Sequence, residues 1–352
     1  MGSSPPIENR ANGVLSLLAH LCRQGKTSPF LFANNKTSEA LLTDFYRFVG
    51  YRQIGVCDMI ELLLSTVAQG LQWSVLALGV FLTFRVLDIA DLSVEGSFPL
   101  GAAVAASAIA SGLGLFAAFA LAIVAGCLAG AVTGFLTTKL RIPALLAGIL
   151  TMIGLYSINL HVMGKANISL LQDETLFTWL ESLTGLTPVY IACLIGLIFT
   201  FIVASFIYWF FGTELGTAIR ATGFNPQMAR AQGINTNVMV VLGLVISNAL
   251  VALCGAMVAQ NNGFADVGMG VGTIVIGLAS VIIGEVLIGN ATFKTYLVAV
   301  VVGSIVYRLV IALVLELGMP PNDLKLFTAV LVACALSLPL AKSKMRNLLR
   351  QR

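Results

Sequence analysis

"MIELLLSTVAQGLQWSVLALGVFLTF" (59–84) begins where a polar, Pro- and Asn-containing tail ends, and it predicts a long apolar helix. Runs of about twenty apolar residues then recur to Leu340. Each is long enough to cross a hydrocarbon core of roughly 30 Å. The composition agrees: 58% of residues are hydrophobic and 10% charged, with a mean hydropathy of +0.95. Soluble domains carry about a quarter charged residues. The 34 glycines suit membrane helices whose backbones approach closely, and the short alternating segments of a β-barrel are missing. The fold expected is an all-α polytopic membrane protein. Its spans fall near 60–84, 92–111, 113–138, 143–163, 188–211, 237–262, 273–289, 295–317 and 323–341, about nine helices or broken helices.

Residues 1–58 read as a poorly ordered extension. "VLSLLAHL" (14–21) is too short to span, and the tail lacks the h-region and cleavage site of a signal peptide. "QGKTS" (24–28) is no nucleotide loop, since His20 stands where that motif needs Gly. Met59 lies directly before the first span, which suggests a native chain starting at or near it; a real disordered extension is the competing reading. Cys127, Cys193, Cys254 and Cys334 lie inside apolar spans as small hydrophobes. Cys22 and Cys57 sit in the tail and support no disulfide. The net charge of +4 lacks the basic face of a soluble nucleic-acid binder.

Lys and Arg set the orientation. Residues 342–352 form a basic tail with Lys342, Lys344, Arg346, Arg350 and Arg352, expected in the cytoplasm. Counting back puts the turn with Lys139 and Arg141 and the loop 212–236 on that side too. The loop 164–187, with Asp173, Glu174 and Glu181 against Lys165, falls outside. Within it, "LFTWLESL" (176–183) reads as an amphipathic helix resting on the lipid interface; the competing reading is a receiving surface for a soluble binding protein.

One polar stretch interrupts the lipid-like sequence: "GTELGTAIRATGFNPQMARAQGIN" (212–235). Breaks at Gly223, Pro226 and Gly233 predict two short helices lying across the membrane surface. Glu214 favours the first helix dipole. Ala218, Ala221, Gly223, Ala229 and Ala231 offer a surface of small residues for a partner to pack against, and Arg220 and Arg230 add charge-assisted contacts. The plain alternative is an interfacial loop whose arginines only mark the inner face.

The pattern G-T-x-I-R-A-T-G-x-N-x-x-x-A-R-x-x-G-I-N resembles the cytoplasmic coupling loop of ABC importer permeases of the branched-chain amino-acid and ribose type. "DLSVEGS" (91–97) is similar to the D-L-S-V-G-S signature of the sugar branch, with Glu95 inserted. "VLGLVISNALVALCGAMVAQNNGFADVGMGVG" (241–272) and "IIGE" (282–285) resemble the segments that follow. "LGMPPNDLKLFTAVLV" (317–332) is similar to the tryptophan/tyrosine-type subgroup. The resemblance covers 60–341 and implies that Glu214, Gly216, Arg220, Ala221, Gly223, Asn225, Ala229, Arg230 and Gly233 couple to an ATPase.

"ADLSVEGSFPLGAA" (90–103) places Asp88, Asp91 and Glu95 at membrane level, where ionisable groups are costly and usually face a cavity or partner. Ser93, Gly96, Ser97 and Pro99 suit an interrupted helix. The competing reading has these acids snorkelling from the cytoplasmic interface. "FADVGMGVG" (264–272) follows the helix 237–262 as "ADLSVEG" follows 60–84, which suggests inverted repeats around the substrate path. The path residues expected are Asp91, Ser93, Glu95 and Gly96 inside, with Asp266, Gly268 and Gly270 outside. Asn159 and His161 read as bundle hydrogen bonds, Glu285 as a helix end near the cytoplasmic face, and Arg308 with Glu316 as a loose pair along one face.

No Ser/His/Asp, Cys/His or paired-carboxylate set is arranged for catalysis, and no metal site or cofactor is expected on this chain. The resemblance implies the membrane-spanning subunit of a bacterial inner-membrane ABC importer moving a small solute, an amino acid by its subgroup. The partners it implies are an ATP-binding subunit carrying ATP and Mg, a periplasmic or lipid-anchored solute-binding protein and a second permease copy in a homodimer. The alternative is a secondary transporter that couples ion entry to Asp91 and Glu95.

Overall fold

The computed structural model describes residues 56–289, 292–316, 326–330 and 333. The helices form the compact unit from Ile60 onward. In chain order they are α1 (Val56–Phe81), running into a π-helical turn at Leu82–Val86, α2 (Val94–Ala110), α3 (Leu115–Thr138) and α4 (Ala144–Met163). Then come β1 (Asn167–Ser169), α5 (Leu176–Thr184), α6 (Pro188–Phe210), α7 (Glu214–Phe224), α8 (Pro226–Ala231) and α9 (Thr236–Asn262). β2 (Phe264–Asp266), a 3-10 turn at Val267–Gly270, α10 (Thr273–Ile288) and α11 (Phe293–Glu316) follow.

Among the described residues, 7 helices are long and apolar enough to cross a membrane, and α2 is a shorter apolar helix. Most of the expected span 323–341 lies outside the described residues, and so does the whole of the basic tail. Cys334, Cys22 and the 1–55 part of the extension also lie outside them.

The centre of the bundle is α9, buried on every side through Ser247–Gln260. A helix apolar all round belongs inside. Small residues set its distance from α3. A Cβ on Gly126 would stand 2.5 Å from the Asn248 carbonyl oxygen, and one on Gly130 2.4 Å from that of Leu244. On the other flank α1 runs antiparallel to α9: Ser247 Oγ donates to the Gly79 carbonyl at 2.8 Å and Cys254 Sγ to that of Gln72 at 3.2 Å. Such hydroxyl-to-carbonyl bonds join helices that have no hydrophobic drive to associate within lipid. The outer face of α6 is apolar and exposed at Phe201, Ile202 and Trp209, as a lipid-facing helix requires.

The two ends of the bundle differ. One carries α7, α8, the π-turn with Arg85 and the turn with Lys139 and Arg141, which lies there because α3 descends antiparallel to α9 with Gly134 on Val241. The opposite end carries an antiparallel ribbon with Asn167↔Asp266, Ile168↔Ala265 and Ser169↔Phe264 in register. It also carries α5, amphipathic as expected, with no fully buried residue. The basic loop and the basic turn thus share one end, as the charge pattern required.

Candidate functional site: a surface helix pair joined to a mid-bundle break

The polar stretch folds as two short helices because its caps say so. Thr213 Oγ1 accepts from the Gly216 amide at the start of α7, with Glu214 in the first turn. Asn225 Oδ1 accepts from the amides of Gln227 and Met228 at 3.1 and 3.0 Å, and Pro226 supplies a preset first residue for α8. Asn235 then caps α9.

The coupling residues divide by direction. Glu214, Ala221, Asn225, Arg230 and Gly233 are exposed. Arg220 lies with its guanidinium 5.0 Å from the Phe293 ring centroid, and Arg230 Nε donates to Thr236 Oγ1 at 2.8 Å. Of the expected small-residue surface, Ala221 and Ala231 are exposed and Ala218 is half-buried, but Gly223 and Ala229 are corrected: like the coupling residue Gly216, they face inward. A Cβ on Gly216 would strike the Phe210 carbonyl at 2.3 Å, one on Gly223 the Val86 carbonyl at 1.9 Å, and Ala229 is buried. These residues seat the pair on the bundle. What the pair presents outward is Phe224, 92% exposed, and Met228, 62% exposed. The signal for Phe224 was a lone aromatic between Gly223 and Asn225 in an otherwise polar stretch.

Gly223 rests on the segment that enters the bundle. From Val86 the chain passes Asp88, exposed and with φ 56°, to Asp91, which is 3% exposed. Asp91 Oδ1 accepts from the Ser93 amide at 2.9 Å, and Oδ2 accepts from Asn248 Nδ2 at 2.9 Å. Asn248 Oδ1 in turn accepts from Ser93 Oγ at 3.0 Å and Ser97 Oγ at 2.6 Å. Asn248 lies near the middle of α9, so α2 starts deep inside the bundle. The snorkelling reading of Asp91 is therefore overturned; it is the buried acceptor that pins a broken helix to α9.

The division of path residues between two faces is also corrected. Glu95 and Gly96 line one cleft with Gly268, and a Cβ on Gly270 would stand 2.0 Å from the Glu95 carbonyl oxygen. Glu95 Oε1 accepts from the Gly272 amide at 3.1 Å. Asp91 and Ser93 belong to the Asn248 knot, and Asp266 caps the 3-10 turn by accepting from the Gly268 amide at 2.7 Å. The two breaks follow antiparallel helices, α1 and α9, and converge on α2.

Two features were missed. Arg85 Nη2 pairs with Glu285 Oε1, Arg85 Nε donates to Tyr296 Oη at 2.6 Å, and Tyr296 Oη donates to Glu285 Oε2 at 2.9 Å. This triangle ties the π-turn to α10 and α11 beside a cleft of about 630 Å³ that reaches Arg220 and Phe224. Arg308 does not pair with Glu316; its guanidinium sits 4.1 Å from the Trp73 ring centroid. Asn159 does make a bundle hydrogen bond, through Nδ2 to the Gly96 carbonyl at 3.3 Å. Among the described residues no group of three His, Cys, Asp or Glu is placed to hold a metal ion.

Residues 62–336 match the family described as branched-chain amino acid transport system / permease component. The tyrosine transport system permease protein of Clostridioides difficile is 42% identical over 78% of this chain and 90% of its own length. The ribose import permease of Escherichia coli K12 is 28% identical over 66% of this chain and 71% of its own. The galactofuranose transporter permease of the same organism is 28% identical over 75% of each. A bundle with a capped helix pair at one end and a broken helix at its centre, matched along nearly all its apolar length, belongs to the ABC transporter permease family described as branched-chain amino acid transport system / permease component.

Proposed function

We propose that this chain is the membrane-spanning subunit of an importer powered by a separate ATPase, with α7 and α8 as the docking point for that motor. The basic end of the bundle then faces the cytoplasm, following the preference of Lys and Arg for that side, and a solute-binding protein meets the ribbon end. The observation that carries the reading is a short run of chain held at both ends. Gly223 of α7 rests on the Val86 carbonyl, and five residues later Asp91 is locked to Asn248 at the start of the broken helix. A push on Phe224 and Met228 is delivered to mid-bundle with little slack to absorb it. An amino acid is the solute, and the tyrosine permease relative makes tyrosine the first to try.

The test is reconstitution in liposomes with candidate ATP-binding and solute-binding subunits. ATP-driven uptake of tyrosine or a related amino acid is expected, and its loss in Phe224→Glu/Met228→Glu together with loss of ATPase co-purification. Accumulation on a proton or sodium gradient without any ATPase would instead establish the secondary transporter.

A further inference from the structure

The cleft of about 400 Å³ between α2, α4 and the 3-10 turn has a chemistry of its own. Its size lies in the range of small-molecule sites. Glu95 lines it, and among the described residues this carboxylate has no ion-pair partner, since the one salt bridge joins Arg85 to Glu285. A carboxylate has about four lone-pair sites, and the Gly272 amide fills one. Asn159 also lines the cleft and is 0% exposed. Its amide orientation is fixed: the Gly96 carbonyl can only accept, so Nδ2 must face it. That leaves Oδ1 buried with no hydrogen-bond partner, and buried acceptors are rarely left so without a reason. Apart from Ser157, the other side chains on its walls, among them Met152, Ile153, Tyr156 and Val267, are apolar or aromatic.

A carboxylate with lone pairs to spare and a second acceptor with no donor, beside a mostly apolar wall, describe a receptor for an organic cation that carries N–H groups. A metal ion would want more oxygen ligands than this wall offers. We propose that the cleft recognises the protonated amine of the solute in transit, with Glu95 supplying the charge, Asn159 Oδ1 a second acceptor, and Tyr156 and Met152 a surface for the side chain. This rests on the reading of the chain as a solute permease and adds the group by which the solute is held.

The experiment needs only the full chain in nanodiscs. Ser157, on the cleft wall, is replaced by Cys in a variant whose native cysteines are removed, and labelled with cationic aminoethyl or anionic sulfonatoethyl methanethiosulfonate. The cationic-to-anionic rate ratio should fall about tenfold in E95Q, the effect of one unit charge in a partly shielded cleft. Tyramine and L-tyrosine should slow labelling, whereas 3-(4-hydroxyphenyl)propionate, which lacks the amine, should not. Asn159→Leu should weaken the protection by tyramine. An unchanged ratio in E95Q, no protection by tyramine, or equal protection by the amine-free acid overturns the proposal. Should E95Q not be recovered folded, the contrast between tyramine and the amine-free acid on Ser157→Cys alone decides it. Labelling involves no ATPase, so amine protection in a chain that never supports ATP-driven uptake would remove the motor assignment and leave the amine site standing.

Discussion

Asn248 is the residue on which most of the interior depends. Its side chain accepts from Ser93, just before α2, and from Ser97 within it, while donating to Asp91 and to the Leu244 carbonyl. Asn248→Leu strips partners from three buried polar groups at once, and each such loss costs about 1–3 kcal/mol. Thermal unfolding in detergent should fall by many degrees; a Leu variant that melts like the parent would refute the knot. Little of this was visible in the sequence. "DLSVEGS" marked a break and an acid at membrane level, yet the partner that satisfies Asp91 lies 157 positions away, in a run that reads as pure core. Periodicity reports which face of a helix is apolar, and it is silent about which polar residue meets which.

At the scale of elements, boundaries were largely legible. Apolar length gave the spans, and the breaks at Gly223, Pro226 and Gly233 gave the two short helices, whose caps at Thr213, Asn225 and Asn235 the structure added. Direction was not. Alanine and glycine serve equally as a contact surface or as a seat, and only packing decides; here Gly223 and Ala229 turned out to be the seat. Gly223→Val should therefore lift α7 off Val86. Its expected signature is an assembled complex that hydrolyses ATP yet takes up at least tenfold less solute. Phe224→Glu should instead lose the ATPase from the complex. If Gly223→Val leaves uptake unchanged, the contact with Val86 transmits nothing. The Arg85–Glu285–Tyr296 triangle calls for a double-mutant cycle: Arg85→Gln and Glu285→Gln should be strongly non-additive in melting temperature, since either change alone strands a half-buried charge.

For the whole molecule, the decisive matter is which end faces which compartment. The charge pattern and the structure agree that Lys139, Arg141, Arg220 and Arg230 share one end, a relation the sequence reached by counting spans. Ala221→Cys, on the exposed side of α7, should react with an impermeant maleimide in inside-out vesicles and stay protected in right-side-out ones. The reverse pattern would place the helix pair outside and end the motor reading. The convergence of both breaks on α2 could not be read from the chain, because it depends on α1 and α9 running antiparallel and on Gly270 meeting Glu95 across a distance in sequence that no local pattern spans.

The glycine contacts between α3 and α9 restrict how such a bundle can work. Where the two backbones meet at Gly126, Gly130 and Gly134 with no room for a side chain, neither rod can slide or roll without collision, so the pair behaves as a keel. α10 and α11 are locked in the same way, a Cβ on Gly284 standing 2.0 Å from the Ala299 carbonyl oxygen and one on Gly303 2.0 Å from that of Ser280, so any rocking that opens a passage must move one glycine-locked pair against the other. Spin labels bridging the keel should report a constant separation through a full turnover, while labels placed from α9 to α11 should record two.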